Sequence, residues 1–188
     1  MKQVSFLMTA LMLLATNSRA QDVRYNFADA SFKKFKTYKW VVINDVQKID
    51  PSQDHEIKSA LDAAISKKHL IQTLVDTADL YIGYQVGVAA EKPFAFYSAD
   101  WDYGPGWDRE SWYGGFYGRT KGPISTISEG QLAVDIYDSK NHCLIWRGVV
   151  SNAVDSTATA DKRESLLHKA VTKLFNKYPP PPLYSFSD

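Results

Sequence analysis

Hydrophobic and polar positions change their spacing several times along the chain, and two of the patterns predict strands. Apolar and aromatic strand formers run together over 37–44, and between Asp79 and Ala90 apolar residues alternate with small or polar ones. Runs and alternations of this kind are typical of β-strands. We therefore expect a strand at about 37–44, with Trp40 largely buried, and a half-buried strand over 79–90.

A second pair of strand patterns lies in the C-terminal half of the chain. Apolar residues alternate over 132–136, an apolar run covers 143–150, and the turn-forming residues Asp-Ser-Lys-Asn occupy 138–141. Two strands around a short turn predict an antiparallel hairpin. In that hairpin we expect Trp146 to be buried against the core and Arg147, on the opposite face, to point to water.

Two segments show the three-to-four-residue apolar spacing of amphipathic helices. The first opens with Asp50-Pro51-Ser52-Gln53, which supplies an N-cap acceptor, a proline at the first helical position and a glutamine suited to a capping box, and it is expected to end near Leu70. The second is expected to begin at Asp161, with Glu164 as its capping-box partner. Tyr178 and the four prolines that follow should end it.

The order of these elements predicts the fold class. A strand, a helix, a strand, a long loop, a hairpin and a helix are most economically arranged as a single α+β domain. We expect a mostly antiparallel sheet of at least four strands with two helices packed on one face. The domain should cover 21–178, and a proline-rich tail should occupy 179–188.

Residues 1–20 have the pattern of a secretory signal peptide. A basic start at Lys2 is followed by an apolar run of 12 residues and a small-x-Ala site that ends at Ala20. That run is shorter than the ~18 to 20 residues needed to span a bilayer. We expect cleavage after Ala20 and export to the periplasm or beyond the cell. The mature chain should have no transmembrane segment and, because no cysteine lies near the cleavage site, no lipid anchor.

Charge and cysteine content narrow the function classes. The 22 basic residues nearly balance the 21 acidic ones, so nucleic acid is not an expected partner. The single cysteine, Cys143, excludes a disulfide framework within one chain, and its apolar neighbours suggest a small buried side chain. The four histidines lack metal-ligand spacing and no nucleotide-binding or catalytic motif occurs, so no metal, cofactor or catalytic residue is predicted.

The most unusual segment is a glycine-rich stretch, residues 91–121, which we call the aromatic loop. It interrupts the regular patterns and contains ten aromatic residues, including three of the five tryptophans. A long irregular segment in a compact domain is often a binding loop, and exposed aromatic faces bind sugars or peptide side chains. The alternative is a flap that packs on its own domain. The candidate ligand-binding residues are Trp101, Tyr103, Trp107, Trp112 and Tyr113.

These features support more than one function. The first hypothesis is a non-catalytic exported protein with a structural or accessory role in the bacterial envelope. The alternative is a module that uses the aromatic loop, over 94–117, to bind an envelope protein, a glycan, a peptide or a second copy of itself. A hydrolase is a further alternative, because an active site can be assembled from residues that are distant in sequence.

Several segments together resemble the DUF4136 family of bacterial envelope proteins. The resemblance is carried by 35–40, by 57–70 leading to 78–84, by 130–138 with 144–148, and by 170–180. It implies an α+β domain exported to the envelope. Many members look like lipoproteins, and this chain differs from them in lacking the lipid-accepting cysteine. The resemblance supplies no catalytic residues.

Overall fold

The computed structural model describes residues 21–28, 30–43, 48–88, 91–94, 102–103 and 126–181, the pair 102–103 by its backbone only. In chain order, the elements are β1 (Val23–Phe27), a 3-10 turn (Phe32–Lys34), β2 (Thr37–Trp40), α1 (Pro51–Ser66), β3 (Ile71–Gln72), β4 (Leu80–Val86), β5 (Lys92–Pro93), β6 (Asp102–Tyr103), β7 (Thr126–Ile127), β8 (Leu132–Asp138), β9 (Cys143–Val150) and α2 (Ala160–Phe175). Short strands thus lie within the aromatic loop.

One mixed sheet organises the described part of the chain. Its strand order is β1-β9-β8-β4-β2-β3, and β6 pairs with β9 beyond this path. The β4, β8, β9 and β1 neighbours are antiparallel, whereas β2 is parallel to both β3 and β4. Both helices pack on one face of the sheet. The predicted α+β class and the predicted hairpin are therefore confirmed.

The main core lies between the two helices and the sheet. Helix α1 buries Ile57, Leu61 and Ile65, and α2 buries an equivalent stripe around Leu174. Trp146 is fully buried, as predicted, and its ring lies 6.1 Å from Phe175 and 5.6 Å from Tyr178 between centroids. Such aromatic contacts add to the hydrophobic gain from burial. Cys143 is also buried, which agrees with its prediction as a small apolar side chain.

The first predicted strand is shorter than expected. β2 ends at Trp40, and Trp40 is only partly buried at the edge of the core. Its indole N–H donates to Asp62 of α1 over 2.9 Å, and the Tyr38 hydroxyl donates to the same carboxylate over 2.6 Å. Burial and the negative charge of Asp62 raise the pKa of Tyr38. The two hydrogen bonds fix α1 against β2.

The two helices begin differently. Asp50 caps α1, as predicted, because its carboxylate accepts a hydrogen bond from the Ser52 amide over 2.8 Å and Pro51 occupies the first turn. The predicted start of α2 at Asp161 is wrong. Its N-cap is Thr159, whose extended backbone precedes the first turn, so Asp161 lies inside the helix, where a negative charge favours the N-terminal dipole.

The starts of β2 and β4 are joined by a reciprocal pair of side chains. Asp79 accepts hydrogen bonds from the amides of Lys36 and Thr37 over 2.8 and 3.0 Å and from the Thr37 hydroxyl over 3.1 Å. The Asp79 amide donates back to the Thr37 hydroxyl over 3.0 Å. Burial acts to raise the pKa of Asp79, but these donors outweigh it and lower the pKa. The pair sets the register of the two parallel strands.

Within the described ranges, no helix has both the length and the apolarity that a membrane crossing requires.

Candidate functional site

The residues predicted to bind a ligand lie largely beyond what the structure describes. Trp101, Trp107, Trp112 and Tyr113 are outside the described residues, so their predicted role stays a prediction. Tyr103 is placed by its backbone alone, in β6. The site must therefore be built from the residues that hold the two ends of the aromatic loop and from the sheet beneath them.

A two-stranded ribbon joins the two ends of the aromatic loop. β5 and β7 pair antiparallel, with Lys92 opposite Ile127 and Pro93 opposite Thr126. The Thr126 hydroxyl also donates to the carboxylate of Glu91. Because the ribbon closes the chain on itself, the intervening residues leave and re-enter the domain at one place.

The chain between these ends returns to the main sheet once. β6 runs parallel to β9 and pairs Asp102 with Cys143 and Tyr103 with Leu144. This position continues the sheet edge that β1 occupies farther along β9, where Val23–Phe27 pair with Val150–Trp146. Backbone pairing at β6 therefore gives the aromatic loop a second attachment to the domain.

A buried ion pair lies on the sheet face opposite the helices. Asp135 in β8 and Arg147 in β9 are cross-strand partners, and both are 0% exposed. The Arg147 guanidinium donates to both carboxylate oxygens of Asp135, through Nε and, over 2.6 Å, through Nη2. A bidentate pair of this kind combines charge attraction with fixed geometry.

The Asp135 carboxylate also receives two neutral donors. The amide of Gln85 in β4 and the hydroxyl of Tyr137 in β8 each donate to Oδ2 over 3.3 Å. With several donors on one carboxylate, the buried negative charge is compensated on every side that these residues occupy. The cluster is suited to holding strands together and offers little freedom for proton transfer.

Phe94 connects this buried cluster to the aromatic loop. Its ring lies over the Arg147 guanidinium, with Cζ 4.2 Å from the ring centroid. Phe94 also belongs to a small second core with Ile127, Ala133 and Val149. A stack of Asp135, Arg147 and Phe94 thus runs from the sheet outward to the first described turn of the loop, and it makes a third attachment.

The prediction that Arg147 points to water is wrong. Every position of β8 and β9 is buried, which means that both faces of the hairpin are covered rather than one. The signal for the ion pair was present in the sequence. Once the turn at 138–141 is assigned, Asp135 and Arg147 fall near each other on the two strands, and opposite charges in otherwise apolar strands indicate a cross-strand pair.

Metal chemistry has no support in the described ranges. There, no group of three or more His, Cys, Asp or Glu side chains converges as it would to hold a metal ion. What the described residues do provide is a rigid platform for a loop.

Comparison with known proteins identifies relatives by family and by fold. The model of the DUF4136 family, a domain of unknown function, matches residues 21–180. A DUF4136 family protein from Bacteroides thetaiotaomicron has a similar structure, with 14% sequence identity and a TM-score of 0.55, and the alignment covers 85% of this chain and 96% of that one. At this identity, the similarity shows the fold alone. No curated protein matches the chain.

Weaker structural similarity extends to two other proteins. The PelC dodecamer from Paraburkholderia phytofirmans is 13% identical with a TM-score of 0.45, covering 83% of this chain and 95% of that one. A PDZ domain protein from Parabacteroides distasonis is 15% identical with a TM-score of 0.43, covering 94% of this chain and 39% of that one.

Proposed function

The chain belongs to the DUF4136 family, whose function is unknown, and from that premise we propose that it is a non-catalytic, exported protein of the bacterial envelope. Its aromatic loop is the binding surface, and its target is a glycan or peptide of the envelope. The single observation that carries this proposal is the threefold attachment of the loop to the sheet, through the β5–β7 ribbon, β6 and Phe94.

The attachments matter because a binding surface benefits from being held in place. Ordering a loop on binding costs conformational entropy, and a loop that is already fixed at its ends loses less of it. The buried Asp135–Arg147 pair is a costly way to hold a loop that has no further role, because two charges must leave water. Aromatic rings on such a platform provide large contact areas at low rotamer cost.

Export is supported by how the chain enters the fold. The Gln21 side chain donates to the Leu166 carbonyl over 3.0 Å, and Lys173 donates to the Gln21 carbonyl over 2.6 Å. The domain thus engages the chain from the first residue after the predicted cleavage site. The proposal expects N-terminal sequencing of the protein from the periplasmic or extracellular fraction to begin at Gln21. A cytosolic protein that retains Met1 would contradict it.

Binding can be tested with peptidoglycan, which presents both glycan and peptide. We expect the exported protein to sediment with insoluble peptidoglycan, and replacement of Trp101, Trp107 and Trp112 by serine to weaken this by roughly tenfold or more, since each lost aromatic contact costs about 1 kcal/mol. A matched variant with serine at the exposed apolar residues Ile71, Leu74 and Val75 should bind normally.

Two outcomes would overturn the choice of surface. If the tryptophan variant and the matched variant sediment equally, the aromatic loop is not the contact. If neither the exported protein nor its variants sediment, while the exported protein self-associates in analytical ultracentrifugation and the tryptophan variant does not, the loop binds a second copy of the chain instead.

A further inference from the structure

A cleft outside the aromatic loop has the features of a ligand site. It has a volume of about 310 Å³ and lies where the first two turns of α1 meet the end of β4 and the residues on either side of 44–47. Ligand pockets begin at roughly 300 Å³, so the cleft suits a small molecule. The described lining residues that concern us are Val42, Lys48, Asp54, Lys58, Tyr84 and Val86.

The body of the cleft is apolar. Val41, Ile43, Ile49, Pro51 and Val86 supply most of its wall. At its mouth, Val42 is 77% exposed, which is unusual for a valine beside a cavity that could take it in. Apolar walls of this kind gain free energy when a ligand displaces water from them.

The polar groups of the cleft are unequally balanced. Asp54 forms an ion pair with Lys58 over 3.0 Å, and the Tyr84 hydroxyl donates to the same carboxylate. Burial acts to raise the pKa of Asp54, but Tyr84 and Lys58 together lower it, so this carboxylate is ionised at neutral pH and neutralises Lys58.

Lys48 is left as a surplus positive charge. Among the described residues, no carboxylate lies within 4 Å of its ammonium group. Two lysines therefore face one aspartate in the lining. An anion that enters the cleft meets a net positive charge at one end and an apolar wall along its length.

We propose that this cleft binds a small amphipathic anion, with an apolar body of about ten non-hydrogen atoms at roughly 30 Å³ each and one carboxylate directed to Lys48. Octanoate has this size and chemistry. The site is independent of the aromatic loop, since none of its lining residues contributes to the β5–β7 ribbon or to the Asp135–Arg147–Phe94 stack.

Equilibrium dialysis of octanoate against the purified protein tests the proposal. We expect saturable binding at one site, with octanol bound roughly fivefold more weakly because it lacks the charge. Lys48→Ala should weaken octanoate binding about fivefold without affecting octanol. Lys67→Ala, which removes an exposed lysine at the far end of α1, is the matched control and should leave both affinities unchanged.

A pair of substitutions at the exposed mouth tests the charge preference without disturbing the core. Val42→Glu should weaken octanoate binding and Val42→Lys should strengthen it, because the two variants differ only in the sign of a charge beside the cleft. The proposal is overturned by an absence of saturable octanoate binding, by equal affinity for octanol and octanoate, or by identical affinities of Lys48→Ala and Lys67→Ala.

Discussion

At the scale of single residues, the Asp135–Arg147 pair was only half accessible to sequence reasoning. The hairpin that brings the two residues together follows from the apolar alternation and the turn at 138–141. What alternation cannot show is that the second face of the sheet is covered too, by Phe94 and its neighbours from a segment without any periodicity. A charged residue on a covered face must find a partner, and Asp135 provides it.

Removing one member of this pair should be much more harmful than removing both. Arg147→Ala leaves Asp135 buried without its main partner, and we expect a loss of about 3 to 5 kcal/mol in the free energy of unfolding, measured with urea. The double variant Arg147→Met with Asp135→Leu should recover much of that loss, because no buried charge remains. A single variant within about 1 kcal/mol of wild type would show that the pair is not enclosed as described.

Asp79 should give the protein a measurable pH dependence. Its pKa in the folded protein is lowered, so the stability that it contributes is fully present above its unfolded pKa of about 3.9 and is lost as the pH falls through the folded value. We expect Asp79→Asn to cost about 1 kcal/mol at pH 7, and the difference from wild type to shrink below pH ~4.

The neighbouring carboxylate Asp76 serves as the control for Asp79. Its side chain is 85% exposed and contacts only Lys39 in the described part of the chain. Asp76→Asn should therefore change the free energy of unfolding by less than about 0.5 kcal/mol at any pH. Equal effects of the two substitutions would mean that the Asp79–Thr37 junction does not hold β2 and β4 together.

At the scale of elements, local signals predicted the existence of the helices and the hairpin better than their ends. The Asp50-Pro51 start of α1 was identified because both residues act locally on the first turn. The start of α2 was not, because the sequence offered several competing N-cap residues and the backbone chose Thr159. The parallel pairing of β2 with β4 depends on contacts between residues about forty positions apart, so no local pattern predicts it.

This difference between the helix starts can be measured. Asp50→Ala should lower the free energy of unfolding by about 1 kcal/mol, because the Ser52 amide loses its acceptor. Thr159→Ala should cost clearly less, since within the described part of the chain the Thr159 side chain caps no amide of α2. Chemical denaturation of both variants gives the comparison. Equal losses would show that the capping bond of Asp50 adds nothing to stability.

At the scale of the whole molecule, the α+β class and the placement of both helices on one sheet face followed from the order of elements alone. The candidate site did not. Sequence reasoning selected the aromatic loop by composition, whereas the residues that attach it to the sheet, Phe94 and Arg147 among them, become visible only when distant strands are brought together. The central claim is that this attached loop presents its aromatic rings to a partner.

Acrylamide quenching of tryptophan fluorescence tests that claim most directly, because it requires no knowledge of the ligand. The exported protein is compared with a variant that has phenylalanine at Trp101, Trp107 and Trp112 and retains Trp40 and the buried Trp146. We predict a markedly larger quenching constant for the exported protein, because the loop indoles are open to solvent. Equal quenching constants would show that the loop rings are shielded by their own domain, and would contradict a binding role for them.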